Sequence, residues 1–216
     1  MNDNQQYRAV LWDIDGTLLL SESMHFRALR YTVETEGKTV PDDFHHEIVG
    51  RAARVVYETA RERFGLSMSF DRFRHLKYGY YTAHAHEIEV RPGALEAWRT
   101  FADLGLRQAV VSNSDRIVVN ANIRVLGLEE PGFVSVSIND VLNGKPHPEP
   151  YLRGAALLGF EPHQCIAIED SPTGARAGLA AGTRIIAWPD DRELEFPPEI
   201  HTVDELGPVI GQLLKV

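Results

Sequence analysis

The sequence predicts an α/β fold: a Rossmann-like, doubly wound parallel sheet with an inserted all-helical subdomain. Three observations predict it. Short apolar or β-branched runs alternate with segments of helical period, several of those segments close on a glycine, and one interval, from about Ser21 to Glu87, carries no strand-like run at all. Parallel strands need a crossover, and a helix between consecutive strands supplies it.

The elements follow in chain order. Arg8–Trp12 is predicted as the first strand. In the strandless interval Met24, Ala28, Leu29 and Val33 recur at helical spacing up to Gly37. A second periodic stretch runs from Ala52 to Phe64 and stops at Gly65; a third begins near Phe70 and carries Phe73, Leu76, Tyr80 and Ala83. Pro92-Gly93 marks the return to strand–helix alternation. Helices are predicted over Gly93–Leu104, Asp115–Leu126, Glu149–Leu158 and Thr173–Ala181, closed by Gly105, Gly127, Gly159 and Gly182. The intervening strands are Gln108–Ser112, Phe133–Ile138, Cys165–Ile168 and Arg184–Trp188. Residues 1–19 and 88–216 therefore form the expected core domain, and residues 20–87 the helical insert.

Chemistry-bearing residues gather at the strand ends. Asp13-Ile-Asp15-Gly16-Thr17 follows the run Ala9–Trp12. The second strand ends in Ser112-Asn113-Ser114, Lys145-Pro146 follows the third, and the fourth ends in Glu169-Asp170-Ser171. Ligands of open α/β sheets bind outside the carboxyl ends of the strands. Several carboxylates suit a hard divalent cation such as Mg²⁺, and Ser and Lys suit phosphate oxygens. Ser114 is expected to cap the helix that follows it.

In this order the four motifs resemble those of the haloacid dehalogenase superfamily. The subgroup is the one with a helical cap inserted after the first motif, which includes phosphoglycolate phosphatase and β-phosphoglucomutase. Asp13-x-Asp15-Gly16-Thr17 matches the first motif, Ser112 the second, Lys145 the third and Glu169-Asp170 the fourth. The resemblance implies that Asp13 is the nucleophile of a phosphoryl transfer through an aspartyl-phosphate. It makes Asp15 the general acid and later the base. Lys145 and Mg²⁺ then neutralise the repulsion between the Asp13 carboxylate and phosphate. Phosphate is expected against Asp13, Gly16, Thr17, Ser112, Asn113 and Lys145, and the metal against Asp13, Asp15 (through its backbone carbonyl), Glu169 and Asp170. Dehalogenases of the superfamily lack an acid at the Asp15 position, so its presence points to phosphoryl transfer.

The resemblance places substrate choice in the insert. His25 matches a histidine common on the first cap helix, and Lys77 with Tyr81 resembles a recurrent cap Lys-x-x-x-Tyr pattern. Arg51 or Arg54 resembles a cap loop that reaches the active site. Zinc at His84-x-His86 is disfavoured, because residues two apart on a helix do not share a face. Two departures stand out. Leu18-Leu19-Leu20 occupies positions where many relatives carry polar residues, which predicts one missing polar contact, and Asp115 puts an extra carboxylate near the phosphate site.

Composition bounds the partners. With 22 Lys+Arg against 31 Asp+Glu, the net charge of −9 argues against nucleic acid and anionic membrane surfaces. A single cysteine, Cys165, excludes an internal disulfide and fits a cytoplasmic location, as does the polar start Met1–Gln6. Trp98, Trp188 and Val209–Val216 define no subunit interface, so the oligomeric state stays open. The leading expectation is a Mg²⁺-dependent phosphatase of a small phosphorylated metabolite. The alternatives are a phosphomutase using the same residues and a non-catalytic metabolite-binding protein.

Overall fold

The structure, a computed structural model, describes residues 7–48 and 51–213; the Met1–Gln6 stretch, Val49-Gly50 and residues 214–216 of the C-terminal tail lie outside the described residues. Five parallel strands form one sheet in the order β3-β2-β1-β4-β5. They are β1 Ala9–Trp12, β2 Arg107–Val111, β3 Val134–Val136, β4 Cys165–Glu169 and β5 Arg184–Ala187. β1 is central and pairs Trp12 with Val110 on one side and with Ile168 on the other. Its four residues are all buried, as expected for a strand covered on both faces.

Side-chain alternation splits the core into two layers. Val10 and Trp12 face a cluster with Trp98, Phe101, Val118, Leu206 and Ile210. These belong to α5 (Ala94–Asp103), α6 (Arg116–Val125) and α9 (Leu206–Leu213). Ala9 and Leu11 face the opposite layer with Tyr151, Ala155, Leu158 and Ala177. Those lie on α7 (Glu149–Leu158) and α8 (Pro172–Ala181). The strand order reverses between β1 and β4, and the crevice outside their carboxyl ends is the switch point where α/β folds bind ligands.

Between β1 and α5 the chain forms α1 (Glu22–Glu34), α2 (His45–Ile48), α3 (Ala53–Phe64) and α4 (Phe70–His84). This helical segment has its own apolar cluster, centred on Leu29, Phe44, Tyr57, Ala60 and Phe73. Its entry and exit are tied together: Leu20 N–H donates to Glu89 O at 2.9 Å, and Arg91 N–H to Leu18 O at 2.9 Å. Arg91 is buried and its guanidinium donates to the carbonyls of Gly16 (2.9 Å), Trp188 (2.6 Å) and Pro189 (3.1 Å). It also stacks 3.7 Å from the centre of the Trp188 ring. Arg91 thereby pins both crossings to the turn after β1.

The structure departs from the sequence expectations in three places. The strand predicted over Phe133–Ile138 stops at Val136, because Ser137 and Asp140 close a capping box that starts a short 3-10 turn. The turn at Asp42–Phe44 and α2 lie in a stretch too short to show a helical period; Phe44 and Ile48 hold it by burying in the segment's cluster. α9 was not expected either, and is held by Leu206 and Ile210 against the sheet. Among the described residues no helix is long and apolar enough to cross a membrane.

Candidate active site

The predicted motif residues converge at the carboxyl ends of β1, β2 and β4. Asp13 extends β1 by one residue, its N–H donating to Ile168 O at 3.0 Å. The chain then turns sharply at Gly16, whose φ is +87°. A Cβ there would stand 2.0 Å from Asp170 Oδ2, so only glycine lets the turn pass the Asp170 carboxylate. Thr17, fully buried, donates to Asp170 Oδ1 at 3.3 Å and holds that carboxylate from the other side.

Lys145 is the centre of the site. Its ammonium donates to Asp13 Oδ1 (2.7 Å), Val111 O (2.7 Å) and Glu169 Oε1 (2.6 Å). Glu169 Oε1 also accepts from the Tyr151 hydroxyl, and Oε2 from Ser171 at 3.3 Å. A Cβ on Gly174 would fall within 2.1 Å of this carboxylate, so α8 can cover Glu169 only with glycine there. Glu169 is therefore engaged by protein donors and steers Lys145, although its oxygen also lies within reach of the metal-capable group it forms with Asp13 and Asp170. Asn113 holds the Lys145 backbone at both ends: its amide donates to Lys145 O at 3.0 Å and accepts from Lys145 N–H at 2.8 Å. Asn113, expected against phosphate, thus spends its carbonyl oxygen and one amide N–H on the chain itself and keeps a second amide N–H.

The electrostatics call for added positive charge. Asp13, Glu169 and Asp170 surround a single lysine. Burial raises the Asp13 pKa well above the carboxylate range, with Lys145 opposing and Glu169, Asp170 and Asp15 adding to the rise. Burial, Glu169 and Glu22 push Asp170 up to about 8. Burial works against the charge of Lys145, but Asp13 and Glu169 outweigh it and raise its pKa. Asp13 Oδ2 is buried and has no hydrogen-bond partner among the described residues. A buried orphan carboxylate oxygen beside Asp170 is the donor set that a hard divalent cation fits.

The haloacid dehalogenase-like hydrolase family matches residues 7–182. The chain belongs to this family. It is 31% identical over 212 residues to hexitol phosphatase A of Escherichia coli, covering 97% of this chain and 93% of that one. It is 29% identical over 175 residues to the phosphorylated carbohydrates phosphatase of Thermotoga maritima, covering 81% of each. The crystal structure of CbbY from Rhodobacter sphaeroides in complex with phosphate superposes with a TM-score of 0.82 at 26% identity, over 93% of this chain and 96% of that one. The chain is thus a hydrolase whose compared relatives include named phosphatases.

In this haloacid dehalogenase-like hydrolase Asp15 faces the helical segment. Its Oδ1 accepts from Ser21 (2.7 Å) and Asn122 (3.0 Å) and lies 3.3 Å from His25 Nε2. Its Oδ2 accepts from Ser114 (2.7 Å) and Ser112 (3.3 Å). Burial disfavours the Asp15 charge, yet the His25, Ser21 and Ser114 contacts together hold its pKa well below the carboxylate range. Ser114 does not cap the following helix as the sequence suggests. Asp115, not Ser114, stands at the N-cap of α6, and the Ser114 hydroxyl turns to Asp15 instead. Ser21 supplies a polar contact after Leu18–Leu20, of which Leu18 and Leu19 are fully buried in the interior and Leu20 partly so.

The segment's predicted residues divide. His25 touches Asp15 and packs on Tyr81, ring centres 4.6 Å apart. Lys77 is buried, and its ammonium makes no hydrogen bond among the described residues. Burial lowers its pKa against the opposing pull of Glu22, Asp15 and Asp115. Arg51 and Arg54 are exposed; Arg54 lays its guanidinium 3.9 Å from the Phe70 ring centre. Neither arginine bonds to Asp13, Asp15, Ser112 or Lys145 among the described residues. His84 stacks on Tyr80 at 4.0 Å. Sequence reading missed Tyr151, Asn122 and Arg91 as site-supporting residues. Only Tyr151 has a sequence signal: it ends the proline-rich stretch Gly144-Lys-Pro-His-Pro-Glu-Pro-Tyr151 that contains Lys145.

Proposed function

We propose that the protein is a divalent-metal-dependent phosphatase of small phosphorylated metabolites, of the sugar- or polyol-phosphate type, with Mg²⁺ as the metal. The observation that carries this reading is Asp13: one oxygen is bonded to the Lys145 ammonium, the other is buried and without a partner among the described residues. That is a carboxylate oriented by a cation and left with one oxygen for phosphorus or metal.

Asp13 attacks phosphorus in line and takes the phosphoryl group as an acyl phosphate. The negative charge of a bound phosphate ester opposes ionisation of Asp15, and Asp15, protonated in that complex, gives its proton to the leaving alcohol oxygen. A water then attacks the aspartyl-phosphate, Asp15 takes up the water's proton, and inorganic phosphate leaves with Asp13 restored. Lys145, held by Glu169 and Tyr151, offsets the anionic charge on the transferring group. Ser112 lies beside Asp15 and offers a hydroxyl to the phosphoryl oxygens. Asp13 and Asp170, with the Asp15 carbonyl, would hold the metal, which supplies further positive charge against phosphate. The helical segment at residues 20–87 acts as a cap that excludes water and reads the leaving group, with His25 and Lys77 facing it.

A phosphomutase needs a place for a second phosphate on its bisphosphate intermediate. The exposed positions of Arg51 and Arg54 offer no support for one. Hexitol phosphatase A and the carbohydrate phosphatase are the relatives that favour hydrolysis of sugar or polyol esters. The experiment is a phosphate-release screen over polyol, sugar and nucleoside monophosphates and phosphoglycolate with Mg²⁺. Release from polyol or sugar monophosphates is the expected result. Isomerised sugar phosphate without inorganic phosphate, or no turnover of any ester, sinks the reading.

A further inference from the structure

Arg74, Lys77, Tyr78 and Tyr81 lie at positions i, i+3, i+4 and i+7 of α4 and share one helical face. This face meets α6 of the core through directed polar contacts. Arg74 and Tyr78 both donate to Asp115, and Tyr81 donates to Asn122 Oδ1 at 2.8 Å. Asn122 passes the contact on, its amide donating to Asp15 Oδ1 at 3.0 Å. Asp115 and Asn122 are seven residues apart, two turns of α6, matching the spacing from Arg74 to Tyr81. Lys77 sits between the two contacts.

Two such contacts one heptad apart fix the relative register of the helices in a way that apolar packing does not. A one-residue slide rotates each polar group by about 100° away from its partner. Both core partners are buried, so a slipped register leaves Asp115 with only the long 3.4 Å contact from the Asn139 amide and leaves Asn122 Oδ1 without its donor. The contacts also account for the extra carboxylate near the phosphate site: the Asp115 charge is answered by Arg74 and does not face the substrate alone.

We infer that Asp115 and Asn122 are positioning residues that set the register of α4 over the core and so hold its Lys77–Tyr81 face against the Asn122 contact to Asp15. The inference rests on the proposed reading in one respect, that the helical segment closes over the reacting groups.

The test pairs a distance measurement with kinetics. Spin labels at His75→Cys on α4 and Asn120→Cys on α6 occupy exposed positions, while the native Cys165 is fully buried and escapes labelling. In the substrate-free protein a single narrow distance distribution is expected. Asp115→Asn and Arg74→Met should each broaden it and lower kcat about tenfold, with KM changed less than about threefold. The double variant should be no worse than the poorer single one, and Arg74→Lys should recover at least half of the lost kcat. Should Asp115→Asn fail to fold, Arg74→Met, at a half-buried cap position, carries the test. An unchanged distribution in both variants, or a broadened one with unchanged kcat, overturns the inference. Because the distance is read without substrate, a wild-type protein inactive on every ester would sink the proposed function while the register is still judged by the distance.

Discussion

Lys145 and Glu169 form an ion pair of 2.6 Å whose side chains are 4% and 0% exposed. A pair so buried is strongly destabilising to break, because the partner left behind keeps its charge and loses its compensation. Lys145 carries two such partners, Glu169 and Asp13. Lys145→Ala should therefore destabilise the protein by about 3–5 kcal/mol. It should also abolish turnover. Urea unfolding followed by circular dichroism measures the first effect and phosphate release the second. A variant as stable as wild type contradicts the burial of this pair.

Asp13→Asn removes the proposed nucleophilic oxygen with almost no change in shape. Hydrolysis of an aryl phosphate should fall by at least about 10³-fold, since the covalent route is lost. The circular dichroism spectrum should stay native. Full activity in this variant rules out Asp13 as nucleophile.

Gly16→Ala meets two obstacles at once, a backbone φ of +87° and a contact of 2.0 Å with Asp170. The left-handed conformation alone costs a non-glycine residue about 1–3 kcal/mol. The alanine also has to displace Asp170, a proposed metal ligand. The expected outcome is a lower melting temperature together with a higher Mg²⁺ requirement in the phosphate-release assay.

Metal binding should show in stability without any substrate. A cation that binds only the folded state stabilises it by about 2.7 kcal/mol at one hundred times its Kd. Chelator-treated protein should gain thermal stability on addition of Mg²⁺. Asp170→Asn should lose most of that gain. A wild-type melting temperature indifferent to Mg²⁺, Mn²⁺ and Ca²⁺ would count against the site.

Lys77 is a buried cation whose ammonium has no hydrogen-bond acceptor among the described residues. Burial lowers its pKa below the ordinary lysine value. A lysine with a depressed folded pKa weakens the fold while charged. The penalty is complete below the folded pKa and fades as pH rises through it toward the unfolded value. Lys77→Met should be more stable than wild type near neutral pH. The advantage should shrink in alkaline solution while kcat/KM falls. Thermal melts of both proteins at pH 7 and pH 10 check the sign.

Much of the fold is legible in the sequence because it is local. Gly159 and Gly182 take left-handed φ values of +81° and +83° and close α7 and α8 where the glycine pattern places the ends. The apolar run Ala9–Trp12 reads as a strand because all four residues are buried. The proposed catalytic set is legible because each strand end carries its own chemistry: Asp13 and Asp15, Ser112, Lys145, and Glu169 with Asp170. Asn113 and Ser114 carry plausible residue types, but the direction of their side chains depends on neighbours distant in the chain. Asn113 turns to Lys145, 32 residues on, and Ser114 to Asp15, 99 residues back.

By itself, then, the sequence determined the α/β alternation, the helical interruption and the four motif positions that bear the chemistry. Periodicity, turn glycines and strand-end residues act over a few positions, and no partner is needed to read them. The tertiary structure alone decided who answers whom. It gave Glu169 to Lys145 and Tyr151, Asp115 to Arg74 and Tyr78, and Asn122 to Tyr81 and Asp15. A helical period tells which face of α4 or α6 is polar, but the pairing of two such faces is set by how the helical segment packs on the core. That packing is a property of the whole chain.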